Sequence, residues 1–248
     1  MFPGKKKSPK YIPAILILLG AIFAASACSE RASELKLEKT FEQYIRSHPE
    51  IVEEALNSLE AKRSREKEVR IKQAILDNND QLLHDPDSPV GGNPSGDVTV
   101  VEFFDYRCNY CKRVAPLMKT LQQQDSGVRI VYKELPILGN TSIFAARAAL
   151  AARAQGKYQA FHEAMFAFER DMTEWDVLSI AELVGLDRKR LEQDMLSPTL
   201  DNIISRNRAL ATALSISGTP AFIIGEELYP GALSIESLKQ LIAKARGR

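Results

Sequence analysis

Residues 98–116 read VTVVEFFDYRCNYCKRVAP, and the order of residue types in this stretch decides the fold. Val98 to Phe104 is an apolar, β-branched and aromatic run of strand length. The segment that follows opens a helix at Cys108-Asn109-Tyr110-Cys111. The first turn of a helix carries unpaired amides and the positive end of the helix dipole, so it favours an anion. A thiolate is such an anion, and in this setting a cysteine pKa falls from ~8.5 to roughly 3.5–7.5. Cys108 is therefore the expected nucleophile. Cys111, one turn further on, is placed to attack a mixed disulfide at Cys108 and act as the resolving thiol. Arg107 and Lys112 either add positive charge or are ordinary solvated side chains.

Val128 to Tyr132 reads as a second strand after the cysteine-bearing helix. Between residues 140 and 217 lies a helical block, marked by Ala145 to Ala152 ending at Gly156, by Thr173 to Val184 ending at Gly185, and by Asp187 onward. Ala221 to Ile224 is a further strand, Leu228-Tyr229 pairs with it across a turn, and Ser234 to Arg246 closes as an amphipathic helix. The layout is α/β with a helical insertion. Before it, Leu82 to Asp97 is dense in Pro, Gly, Asp and Ser and reads as a linker.

The N-terminal part differs in character. Lys5, Lys6, Lys7 and Lys10 precede an apolar run from Tyr11 to Ala25, and Ala25-Ser26-Ala27-Cys28 follows. This is a secretory signal over residues 1–27. Cys28 stands where a bacterial lipoprotein signal places its lipid-modified cysteine; simple cleavage after Ala27 fits the same small residues. Ser29 matches lipoproteins sorted to an outer membrane.

Residues 28–80 are charged and helical, with Phe41, Tyr44, Ile45, Ile51, Val52, Ala55, Leu56 and Leu59 at helical spacing. Ser47 followed by Pro49 and Glu50 reads as a helix restart closed by a capping box. An amphipathic helix outside the main domain buries its stripe against its own domain or against a second copy, and the second is the more economical arrangement. The chain thus divides into a signal at 1–27, a helical oligomerisation segment at 28–80 and a domain at 81–248.

The 248 residues carry 33 Lys and Arg against 32 Asp and Glu, and removal of residues 1–27 leaves 29 basic and 32 acidic residues. No positive field exists to gather phosphates, which argues against a nucleic-acid partner. Of three cysteines, Cys28 lies at the processing site, so Cys108 and Cys111 carry any thiol chemistry. A lone Cys-x-x-Cys also resembles half a zinc site, but His48, His84 and His162 lack metal-ligand spacing. They read as surface or helix-packing residues, and no metal or cofactor is expected. Copper binding by the thiol pair is a minor alternative.

Cys111-Lys112-x-x-Ala115-Pro116, Thr219-Pro220 and Gly231-Ala232-Leu233-Ser234, in this order, resemble thioredoxin-fold landmarks. Glu102-Phe103-Phe104-Asp105-Tyr106, Tyr132-Lys133-Glu134-Leu135-Pro136 and the helical insertion narrow the resemblance to the DsbA family. The charged N-terminal helices resemble its oligomeric ScsC-like branch. The resemblance implies a thioredoxin fold, a kink at Pro116, and a cis Thr219-Pro220 bond beside the cysteines. It also implies that Thr219, Pro220 and Tyr110 meet an extended client, and that Glu102 is a buried acid exchanging a proton with Cys111. The implied protein is a periplasmic thiol–disulfide oxidoreductase acting on unfolded or misoxidised exported proteins, served by a membrane redox partner. Tyr110 and Thr219 resemble isomerase-type members; a disulfide-donating oxidase is the alternative. The competing class is an envelope chaperone or copper-buffering lipoprotein.

Overall fold

The computed structural model describes residue 31 and residues 36–247. The expected signal segment at residues 1–27 and the expected lipidation site Cys28 lie outside the described residues. No helix among the described residues is long and apolar enough to cross a membrane. The chain divides between Arg65 and Glu66 into two compact units.

The first unit contains helix α1 (residues 36–47) and the start of α2 (Pro49–Asp77), separated by the single non-helical residue His48. The capping box expected at Ser47 does not form. Ser47 Oγ donates backward to the Tyr44 carbonyl, and Glu50 pairs with the His48 ring at 2.9 Å. The chain continues helically too soon after Ser47 for its hydroxyl to turn toward the next helix. Phe41, Tyr44, Ile51, Val52, Leu56 and Leu59 are all exposed.

The second unit begins at Glu66, inside the segment that the sequence assigns to the N-terminal region. The reason is burial: Ile75 lies 3% exposed in a core cluster, with Ile71 and Ala74 packed against it. After α3 (Asn79–Leu83), the chain forms β1 (Val90–Gly92), β2 (Val98–Phe104), α4 (Asn109–Gln124) and β3 (Val128–Glu134). The insertion follows as α5 (Asn140–Ala152), α6 (Tyr158–Phe166), α7 (Glu174–Leu183), α8 (Arg188–Asp194) and α9 (Pro198–Ala213). Strands β4 (Ala221–Ile224) and β5 (Glu227–Pro230) and helix α10 (Ile235–Ala245) close the unit.

The sheet runs β1-β3-β2-β4-β5. Strands β2 and β3 are parallel, and the remaining pairs are antiparallel. Because side chains alternate across a strand, each central strand feeds two cores. Val98, Val100 and Phe104 pack with Ile130, Tyr132, Phe222 and the helices α4 and α10, whereas Val101, Phe103, Val131 and Ile223 pack with Ile75, Leu82, Leu210 and Leu214. Both faces are covered, which is why the strands read as unbroken apolar runs. This is the thioredoxin-like α/β fold with a helical insertion and a helical N-terminal region.

The segment expected as a linker contains β1. Its glycine content reflects an edge strand pressed against a large side chain: a Cβ at Gly91 would stand 2.8 Å from the Tyr132 ring, and Gly92 has φ +69°. In the insertion, the buried alanines of α5 let α6, α7, α8 and α9 approach closely. The capping box at Thr173 and Asp176 starts α7. Lys133, on the second face of β3, is fully buried and donates to Ser88 Oγ at 2.6 Å and to Asp85 at 3.2 Å.

Candidate active site

Strand β2 ends at Phe104, and four residues later Cys108 caps helix α4 in extended conformation. Its amide donates to the Asp105 carbonyl at 3.0 Å, and its thiol to the Thr219 carbonyl at 3.2 Å. The Cys108 thiol is pulled down from 9.0 to about 5. A hydrogen bond from the Cys111 side chain is the main cause, and the Thr219 side chain and the amides of Cys111 and Tyr110 add to it against the cost of burial. Cys111 is fully buried. Desolvation, its hydrogen bond to Cys108 and the nearby charges push its pKa far up. One sulfur therefore ionises easily and its neighbour keeps its proton.

Glu102 shares a strand face with Val100 and Phe104, so it points toward the α4 layer. It is 2% exposed, and burial lifts its carboxyl from 4.5 to about 8. Its charge is among those that raise the Cys111 pKa, which places the two groups in one electrostatic environment. Opposite the cysteines, the Thr219-Pro220 bond is cis and leads directly into β4, with Pro220 buried and Thr219 half-buried. Tyr110 is exposed, and the Arg113 guanidinium lies 4.3 Å from its ring centroid. Pro116 sits inside α4, which continues past it to Gln124.

Arg107 and Lys112 are engaged away from the sulfurs. Arg107 pairs with Asp171 at 2.7 Å and donates to the Leu138 carbonyl, and Lys112 donates to the Arg170 carbonyl. His162 is a core residue, its ring 4.5 Å from that of Tyr132, and burial holds its pKa down at about 3. Among the described residues, no group of three or more His, Cys, Asp or Glu side chains is placed to hold a metal ion.

Two supporting features escaped the sequence reading. The Asp105 carboxylate accepts from the amides of Arg107, Ile137 and Leu138 and from Ser142 Oγ, all within 2.8–3.0 Å. It thereby ties the turn before Cys108 to the loop after β3. Behind it, Glu134 accepts from Tyr106 and Tyr158 hydroxyls at 3.1 and 3.0 Å, and His162 Nδ1 lies 3.0 Å from the Tyr106 hydroxyl. Burial raises the Glu134 pKa well above the usual carboxylate range. An acid inside an apolar strand run was the available signal for Glu134. The partners of Asp105 gave none.

The model of the DSBA-like thioredoxin domain matches residues 99–243. The chain is 31% identical over 164 residues to the Na(+)/H(+) antiporter NhaA 3 of Salinispora tropica, a match covering 65% of this chain and 25% of the antiporter. It thus spans about a quarter of the length of the first curated relatives it matches. Among solved structures, a thioredoxin-like oxidoreductase from Silicibacter pomeroyi is 48% identical, with a TM-score of 0.67, covering 69% of this chain and 99% of that one. ScsC of Proteus mirabilis in a transitional conformation is 27% identical with a TM-score of 0.67, covering 87% of this chain and 98% of the other. A family match that begins one residue inside β2 and ends within α10 takes in the whole sheet from β2 onward, both cysteines and the cis proline, and the chain belongs to the DsbA-like thioredoxin family.

Proposed function

We propose that this chain is a cell-envelope thiol–disulfide oxidoreductase that reduces or isomerises disulfides of exported proteins. The observation that carries the reading is the 3.2 Å contact between Cys108 Sγ and the Thr219 carbonyl at the entrance to β4. It puts an easily ionised sulfur beside backbone groups that can pair with an extended client in β fashion, independent of client sequence.

The Cys108 thiolate attacks one sulfur of a client disulfide. The client S–S bond breaks, its electron pair leaves on the second client sulfur, and that sulfur takes up a proton. As the Cys111 sulfur attacks Cys108 and breaks its bond to the client, Glu102 in its ionised form, its carboxyl exchanging a proton near pH 8, accepts the proton of Cys111, and the released client sulfur takes up a proton. The client leaves as a dithiol, and the protein holds a Cys108–Cys111 disulfide that a membrane redox partner reduces. In isomerisation a different client thiolate attacks the client sulfur of the mixed disulfide instead, which forms a new client disulfide and releases the Cys108 thiolate unchanged.

The Cys108 pKa of about 5 lies between those of thioredoxin, ~7, and of the strong oxidant DsbA, ~3.5. Tyr110 and Thr219, which resemble isomerase-type members, favour isomerase or reductase over oxidase. The exposed stripe from Phe41 to Leu59 favours self-association of the N-terminal segment. Export with a lipid on Cys28, anchoring the protein to the outer membrane, completes the reading.

Refolding of a client with scrambled disulfides is the test. Wild type accelerates it and Cys108→Ala does not; equal acceleration by both refutes the assignment. A reduction potential near −180 mV marks an isomerase, and one near −120 mV a donor of disulfides. Sedimentation of the full chain against a form lacking residues 29–65 reads the oligomer, and a full chain that is monomeric at micromolar concentration refutes self-association.

A further inference from the structure

Beside Thr219 the surface of the second unit falls into a groove of roughly 530 Å³. Ile71, Leu228 and Pro230 give it apolar walls, and two of its lining residues, Lys67 and Arg113, are cations. No lining residue carries a carboxylate. The nearest acids on the β4–β5 hairpin are already engaged, Glu226 by Lys72 at 2.8 Å and Glu227 by Lys244 at 2.6 Å. Arg113 is exposed and lies over the Tyr110 ring, which leaves the edge of its guanidinium fork open toward a carboxylate.

We propose that this groove selects client segments with an acidic side chain next to the reactive cysteine, Arg113 and Lys67 being the groups that read it. The inference rests on the oxidoreductase reading above and names its client class. An extended client alternates its side chains. When its cysteine sulfur meets Cys108 and its backbone lies along Thr219, a neighbouring side chain on the opposite face enters the groove. A carboxylate there meets two cations, one able to bind it through two parallel hydrogen bonds. A lysine meets repulsion. The apolar walls accept the rest of the segment without regard to sequence, so charge is the discriminating feature.

The test uses three short peptides with one cysteine, flanked by Glu, Gln or Lys and activated as a 2-thiopyridyl disulfide. Attack by Cys108 forms a protein–peptide disulfide and releases pyridine-2-thione, which is followed by absorbance. Cys111 then displaces the reduced peptide and leaves the protein disulfide. At low ionic strength the reduced full-length protein reacts roughly fivefold faster with the Glu peptide than with the Lys peptide, as expected for exposed charge pairs. The ratio falls toward one at 1 M salt, where the screening length is ~3 Å. In a double variant carrying Arg113→Glu and Lys67→Glu, both surface positions, the preference inverts. A wild-type ratio of one or below, or a ratio that the double variant leaves unchanged, overturns the charge selection while the reaction itself stands. Failure of all three peptides to react overturns the oxidoreductase reading and this inference with it.

Discussion

Glu102→Gln removes the ionisation of the buried acid while keeping its size and polarity, and its effect on stability is set by two opposed titrations. The Glu102 carboxyl rises from 4.5 to about 8 on folding, so between those pH values the folded chain keeps a proton that the unfolded chain has lost. Its contribution is fully present below pH 4.5 and is lost as pH rises to about 8. At 1.36 kcal/mol per pH unit the loss is about 3 kcal/mol at pH 7. Cys108 falls from 9.0 to about 5, so its contribution is present above pH 9 and is lost as pH falls to about 5. At pH 7 the thiolate supplies about 3 kcal/mol of the opposite sign. In the reduced wild type these two contributions nearly cancel from pH 5 to 8. Glu102→Gln exposes the thiolate contribution alone. Urea denaturation of the reduced proteins should give similar stabilities near pH 5 and a variant more stable by about 3 kcal/mol at pH 7. A difference that stays constant from pH 5 to 8 refutes a buried, proton-holding Glu102.

The ultraviolet absorbance of reduced protein should report one thiolate titrating at about pH 5, absent in Cys108→Ser, with Cys111 silent across that range; a first titration near pH 9 contradicts the site geometry. Lys133→Met leaves Asp85 without its buried ammonium and should cost on the order of 3 kcal/mol in urea denaturation. The Cys108 titration should stay in place, and a neutral effect on stability would show that Lys133 is solvated. Gly91→Ala forces a methyl into the Tyr132 ring and should cost about 1–3 kcal/mol, measured the same way; an unchanged midpoint would mean that β1 moves freely.

The central strands were legible because burial on both faces demands unbroken apolar runs. Val98–Phe104 and Ala221–Ile224 form with the bounds their composition suggests, and Ser234 caps α10 through the Ser237 amide. The cysteine pair was legible through its place after a strand. Strand β1 was not, because the glycines that let it pass Tyr132 are also the residues of turns. The unit boundary at Glu66 was hidden by a polar run over residues 62–68 that says nothing of where the helix next finds a core. Apart from the Arg107 amide, the Asp105 and Glu134 networks join residues 24 to 56 positions apart, beyond the reach of any local pattern.

The two outer strands of the sheet are only three and four residues long. One ends at Gly92 in a left-handed conformation, the other at Pro230, which has no amide to donate. Short edges broken in this way give a foreign strand little to extend. For a molecule proposed to handle unfolded chains, whose free backbone invites sheet growth, this is protection against its own clients. They are offered hydrogen-bonding groups at Thr219, and the rim of the sheet gives them almost nowhere else to nucleate an aggregate.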